Sequence, residues 1–183
     1  MSVIVAIARD SRVCMAADSQ ATNNGSKLQL ARTTAKIVRL GDFLFSISSL
    51  PVGEFLRRRC SVSPLAGLGL DQAAALLADS LRQDFKERAL LEVREGQSYL
   101  PGEIIVARGS EFVILDSLGS VMRADHPWWA LGSGGPEARA VLYALCRDDT
   151  RDTEWIARLA VDAACALDNG CSPPIVVEWT NPA

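Results

Sequence analysis

Histidine is almost absent from this sequence: His126, followed directly by Pro127, is the single one in 183 residues. That excludes a multi-histidine metal site, and any Ser–His–Asp scheme would have to run through His126 alone. Cysteine is sparse and odd in number. Cys14, Cys60, Cys146, Cys165 and Cys171 form no C-x-x-C pair, so the economical reading is free thiols in a reducing, cytoplasmic compartment. No long basic block interrupts a composition of 19 Lys+Arg against 22 Asp+Glu, net −3, which argues against nucleic acid and acidic membrane surfaces as partners. No apolar run reaches the ~18 residues of a membrane span. The apolar opening, residues 3–8, has no basic residue before it and meets Arg9 at once, which is not the pattern of a signal peptide.

What is present suffices for one well-filled domain over residues 1–183. Hydrophobic residues make up 49% and charged residues 22%, and area scaling predicts that ~70% of the unfolded surface is buried at this size. The first half reads as hairpins: residues 2–9, a turn at Asp10-Ser11, and a return over 12–17. A polar stretch, 18–27, carries the turn signal Asn23-Asn24-Gly25. Strands 36–40 and 43–48 flank Gly41-Asp42. Apolar residues on both faces of these hairpins predict a sheet covered on both sides.

Helices follow over 52–60, ending in Arg57-Arg58-Arg59, and from an N-cap at Asp71 to a stop near Gly96, with Leu77, Leu81, Phe85 and Leu91 on one face. Strands 103–107, 111–116, 120–123 and 128–131, helices 137–146 and 153–167, and a last strand 175–179 complete the chain. Strands, helices, strands, helices, strand is an α+β order.

Several residues could carry chemistry. Ser2, once the initiator Met is removed, offers a hydroxyl and an α-amine that is partly neutral near pH 7; the pair can work without histidine. Ser is also simply a common second residue. Asp18 ends a strand, where a turn or cap role is the plain alternative, and Lys36 opens one, where it could be an ordinary lysine with a covered stem. Together they could place an ammonium, held by a carboxylate, against Ser2. Gly132-Ser133-Gly134-Gly135-Pro136 lies between a strand and a helix, allowing close backbone approach. It lacks a P-loop lysine, and Glu137 stands where a dinucleotide fingerprint needs glycine, so a tight structural turn is the simplest reading. Arg57–Arg59 reads as a solvated helix face or a subunit contact, and Cys171 at a helix exit as a structural thiol.

Taken in order, the opening strand Ser2–Ile7, the segment Ala16-Ala17-Asp18-Ser19-Gln20-Ala21-Thr22, Lys36-Ile37, Leu131-Gly132-Ser133-Gly134-Gly135-Pro136 and Asp168 to Cys171 resemble the β-type proteasome subunits and their bacterial HslV-type relatives. The resemblance spans nearly the whole chain. It implies a four-layer αββα sandwich of the N-terminal-nucleophile hydrolase type and a threonine-type endopeptidase, here using Ser. Identical subunits would form stacked rings with the sites inside, act on peptide or unfolded polypeptide, and pair with an ATP-dependent unfoldase where one exists. No metal or organic cofactor is implied. Carried over by position, Ser2 is the nucleophile, Lys36 the lysine and Asp18 the carboxylate that orients it. Ser133 and Asp168 surround the amine. Ser49, Gly132, Gly134 and Cys171 lie near the oxyanion and substrate.

Three departures stand out: Ser2 for the usual threonine, Ser46-Ile47-Ser48-Ser49-Leu50 where glycine is frequent, and Cys171 where many relatives have serine. The alternatives are a ring-forming homologue with little peptidase activity, and an N-terminal-nucleophile amidase acting on small amides.

Overall fold

The computed structural model describes residues 2–23 and 26–182. Met1, and with it the expected removal of that residue, lies outside them, as does the Asn24-Gly25 part of the expected turn. In chain order the elements are β1 (Ile4–Arg9), β2 (Arg12–Ala17), β3 (Gln20–Asn23), β4 (Ser26–Gln29), β5 (Ile37–Leu40), β6 (Phe43–Ser46), α1 (Leu50–Arg58), α2 (Leu70–Glu87), β7 (Glu92–Arg94), β8 (Gln97–Tyr99), β9 (Ile104–Arg108), β10 (Glu111–Leu115), β11 (Val121–Met122), β12 (Trp128–Leu131), α3 (Gly135–Leu145), α4 (Thr153–Leu167) and β13 (Val176–Trp179).

Side-chain alternation along the strands builds the layers. In β1 and β2, Val5, Ile7, Cys14 and Ala16 face α3 and α4, joining Leu142, Ile156, Ala160 and Val161. The alternate residues Ile4, Ala6, Val13 and Met15 face the second sheet, meeting Leu44, Ile105, Ala107 and Ile114. In that second sheet Phe45, Val106, Val113 and Leu115 turn the other way, onto α1 and α2. A period of two with both faces apolar requires cover on both sides. The result is helices, the sheet β12-β1-β2-β13, the sheet β11-β10-β9-β6-β5, and helices, the αββα sandwich that the family resemblance implies and an α+β fold as the element order predicts. Register puts the start of β1 at the end of two neighbours, with Ile4 opposite both Ala17 and Leu131. The segments leaving β2 and β12 therefore converge on Ser2.

Three expectations are corrected. The long helix does not continue to Gly96: it ends at Glu87, because Ala89 turns left-handed (φ 54°) and the Leu90 N–H reaches back to the Phe85 carbonyl. Leu91 is thus beyond the helix, and 92–99 form an exposed ribbon around Gly96. Gly69, not Asp71, is the N-cap; Asp71 sits in the first turn and pairs with Arg123 at 3.0 Å. The stretch expected to be merely polar pairs as β3 with β4.

Candidate active site

Asp18, one residue past β2, is 1% exposed, and four donors surround its carboxylate. Oδ1 accepts from the Val3 N–H at 2.9 Å and from Lys36 Nζ at 2.6 Å; Oδ2 accepts from the Gln20 N–H at 3.0 Å and the Ser172 N–H at 3.3 Å. Lys36 is itself buried. A buried ion pair keeps its charge only when its lone pairs and protons are used, and this one uses all four carboxylate directions. A single oxygen thus ties the ammonium to the backbone directly after Ser2.

Ser2 is also buried and is held from the opposite side by the glycine turn. Its N–H donates to Ser133 Oγ at 3.1 Å, and its carbonyl accepts the Gly134 N–H at 3.1 Å. Gly132 adopts φ +90°, and a Cβ there would stand 2.2 Å from the Ser2 carbonyl oxygen and 2.8 Å from Ser2 Oγ. At Gly134 a Cβ would stand 2.8 Å from Ala164 Cβ and 3.0 Å from Cys171 Sγ. Glycine here admits the N-terminal backbone, not a phosphate.

The Ser133 hydroxyl has one proton and two acceptors in reach, the Ser2 carbonyl at 3.4 Å and Asp168. The ionised carboxylate is the stronger acceptor, so a relay runs from Ser2 N–H to Ser133 to Asp168. That bond, followed by the Gly170 N–H at 2.8 Å, holds the Asp168 carboxyl below its usual range. Cys171 Sγ donates to Asp168 at 3.4 Å. Burial, then the Asp18 charge, pushes its thiol up to about 12, so it is a neutral donor near neutral pH and no rival nucleophile.

The structure therefore gathers Ser2, Asp18, Lys36, Gly132, Ser133, Gly134, Asp168 and Cys171 into one network. Ser49 stands apart. It is the N-cap of α1 and lines a cleft of about 290 Å³ that shares Lys36 with the network. Its N–H has no acceptor among the described residues. Sequence reasoning passed over Gln20 and Ser172 as backbone donors, and misjudged Arg57. Arg57 is half-buried and faces the same cleft, whereas Arg58 and Arg59 are exposed. The signal was Gly53 one helical turn earlier: a Cβ there would stand 2.8 Å from Arg57 Nη1, so the missing side chain leaves room for the guanidinium. His126 is exposed and stacks on Trp128, away from the network.

No family model matches the chain. It is 29% identical over 170 residues to the ATP-dependent protease subunit HslV of Caldanaerobacter subterraneus subsp. tengcongensis, spanning 91% of this chain and 90% of that one. It is 26% identical over 168 residues to the HslV subunit of Desulfovibrio desulfuricans, with the same shares of each chain. Among solved structures, Thiobacillus denitrificans BPH superposes with a TM-score of 0.79 at 22% identity, covering 99% of this chain and 98% of that one. The eukaryotic HslV of Trypanosoma brucei gives 0.76 at 24%, covering 97% and 98%. Along nine-tenths of its sequence the chain is thus similar to HslV subunits, and along nearly all of it shares the fold of the β-type proteasome/HslV family.

Proposed function

We propose that the chain is a subunit of a self-compartmentalised cytoplasmic peptidase that hydrolyses peptide bonds with Ser2 as nucleophile once Met1 is removed. The observation that carries this reading is the Asp18 carboxylate, one oxygen of which accepts both the Lys36 ammonium and the Val3 N–H. A fixed positive charge beside the Ser2 hydroxyl stabilises the developing alkoxide. Ser2 Oγ attacks the substrate carbonyl and its proton passes to the free α-amine, directly or through water. The amine donates one N–H to Ser133, which leaves its lone pair for that proton. The tetrahedral oxyanion faces the unpaired Ser49 N–H. Collapse returns the proton to the leaving amine and forms an ester on Ser2, which water hydrolyses with the amine again as base.

Rings of identical subunits, an ATP-dependent unfoldase partner and unfolded polypeptide as substrate belong to the same reading. They are supported by the names of the HslV relatives, which are ATP-dependent protease subunits. Light scattering should report roughly twelve to fourteen subunits, a closed symmetric assembly; a monomer at micromolar concentration overturns that part. The chemical test is turnover of a fluorogenic peptide by chains whose N-termini have been checked by intact mass. Lys36→Ala should lower turnover by ~10²-fold or more with assembly kept. Wild-type kinetics in that variant would refute the assignment of Lys36.

A further inference from the structure

The cleft beside Lys36 contains groups the catalytic network does not use. Thr22 Oγ1, Ser49 Oγ and Gln20 Oε1 are buried there with no hydrogen-bond partner among the described residues. Buried polar atoms without partners are costly, and three of them around one cavity mark a place where a partner arrives. The cleft is also electrically one-sided. Of its lining residues Lys36 and Arg57 are cationic and none is acidic. Lys36 is neutralised by Asp18. Arg57 gives one Nη2 proton to the Ala35 carbonyl and makes no ion pair among the described residues. A guanidinium has five N–H donors, so most of its capacity is unspent. Burial lowers its pKa, as expected of a cation removed from water without a counter-ion. The N-terminus of α1, at Ser49, Leu50 and Pro51, opens on the same space and favours negative charge.

We propose that this cleft receives an acidic side chain, glutamate or aspartate, of the residue whose carbonyl is attacked, with Arg57 as the specificity-determining residue. The proposal rests on Ser2 being the nucleophile, because Lys36 is the wall the cleft shares with that site. The carboxylate pairs with the free edge of the Arg57 guanidinium and accepts from the Thr22 and Ser49 hydroxyls. Ala21, Leu30 and Ile47 line the path for its methylenes. Four other clefts among the described residues share no residue with the nucleophile network.

The test uses the full-length protein with matched fluorogenic peptides that differ only in the residue before the coumarin: Glu, Gln, Leu or Lys. Wild type should show kcat/KM for Glu over Gln of roughly tenfold or more, a ratio falling toward one as the glutamate protonates below about pH 4.3. Arg57→Gln should collapse the ratio, Arg57→Lys should keep part of it, and Arg57→Glu should favour Lys. Since Arg57 also braces Ala35, the same peptides are titrated against Ser2→Ala protein by fluorescence polarisation, which needs no turnover. Glu peptide bound more tightly than Gln, with the gap closed by Gly53→Ala as the new methyl displaces the guanidinium, supports recognition of the acidic side chain by Arg57 even if nothing is cleaved; in that case the peptidase reading falls, and with it only the claim that the recognised residue is the one attacked. Equal binding of Glu and Gln peptides, or Leu turned over fastest with Arg57→Gln changing nothing, overturns the proposal and leaves the peptidase reading standing.

Discussion

Around Ser2 the polar groups are used up: Asp18 accepts four donors, Ser133 both accepts and donates, and Asp168 takes a hydroxyl, a thiol and a backbone N–H. Across Lys36, in the cleft, two hydroxyls and an amide oxygen have no partner, and a guanidinium no counter-ion, among the described residues. The first region is fixed before any substrate arrives, as preorganised catalysis requires. The second is completed only by what binds. Substitutions should therefore be costly on one side of Lys36 and cheap on the other, and that contrast can be broken or sharpened by experiment.

The largest effect falls on the N-terminus. An uncleavable extension turns the α-amine into an amide, which is no base near neutral pH, so peptide turnover should be abolished, as by Ser2→Ala, with folding and assembly intact. Mass-verified blocked protein as fast as processed protein would remove Ser2 from the mechanism. Next comes Asp18→Ala, which leaves a buried ammonium and three N–H groups without their acceptor. Chemical denaturation should show a loss of about 3–5 kcal/mol, whereas Asp18→Asn should lose less.

Gly132→Ala combines a left-handed backbone with a methyl 2.2 Å from the Ser2 carbonyl. It should cost about 1–3 kcal/mol and lower turnover by shifting Ser2. Asp168 gives a pH signature. The Ser133 hydrogen bond, then the Gly170 N–H, depresses its folded-state pKa below the ordinary 3.8, so its stabilisation is fully present above that value. It is lost as pH falls through the lower, folded-state pKa. Comparing acid unfolding of wild type and Asp168→Asn should show the two curves converge only in that acidic window. Smallest is Ser49→Ala in the cleft: its hydroxyl makes no hydrogen bond among the described residues, so stability should change by no more than ~0.5 kcal/mol. A large loss there would contradict the contrast.

The two-sided cover was legible because both faces of the hairpins β1–β2 and β5–β6 carry apolar residues, whereas the four-layer sandwich was implied by the family resemblance. The ribbons β3–β4 and β7–β8 were not: every residue of β4 and β7 is exposed, so no alternation marks them. The end of α2 was hidden because Ala89, not a glycine, adopts the left-handed turn. Within the site, Ser2, Asp18, Lys36 and the glycine turn could be named from their motifs. Their joining by Val3, Gln20, Gly134 and Ser172 could not, since those contacts use backbone N–H groups that leave no trace in residue identity. Arg57 looked like one of three solvated arginines because the space left by Gly53 is visible only in three dimensions.

The grip on Ser2 also has a consequence for the order of synthesis. Its partners Ser133 and Gly134, together with Ser172 on the far side of Asp18, come from the last third of the chain, and the pairs are 131 and 154 residues apart. Contacts so distant in sequence form late in folding. A nascent or truncated chain therefore carries Ser2 without the groups that position it. Under the proposed mechanism, cleavage would therefore wait for a complete polypeptide.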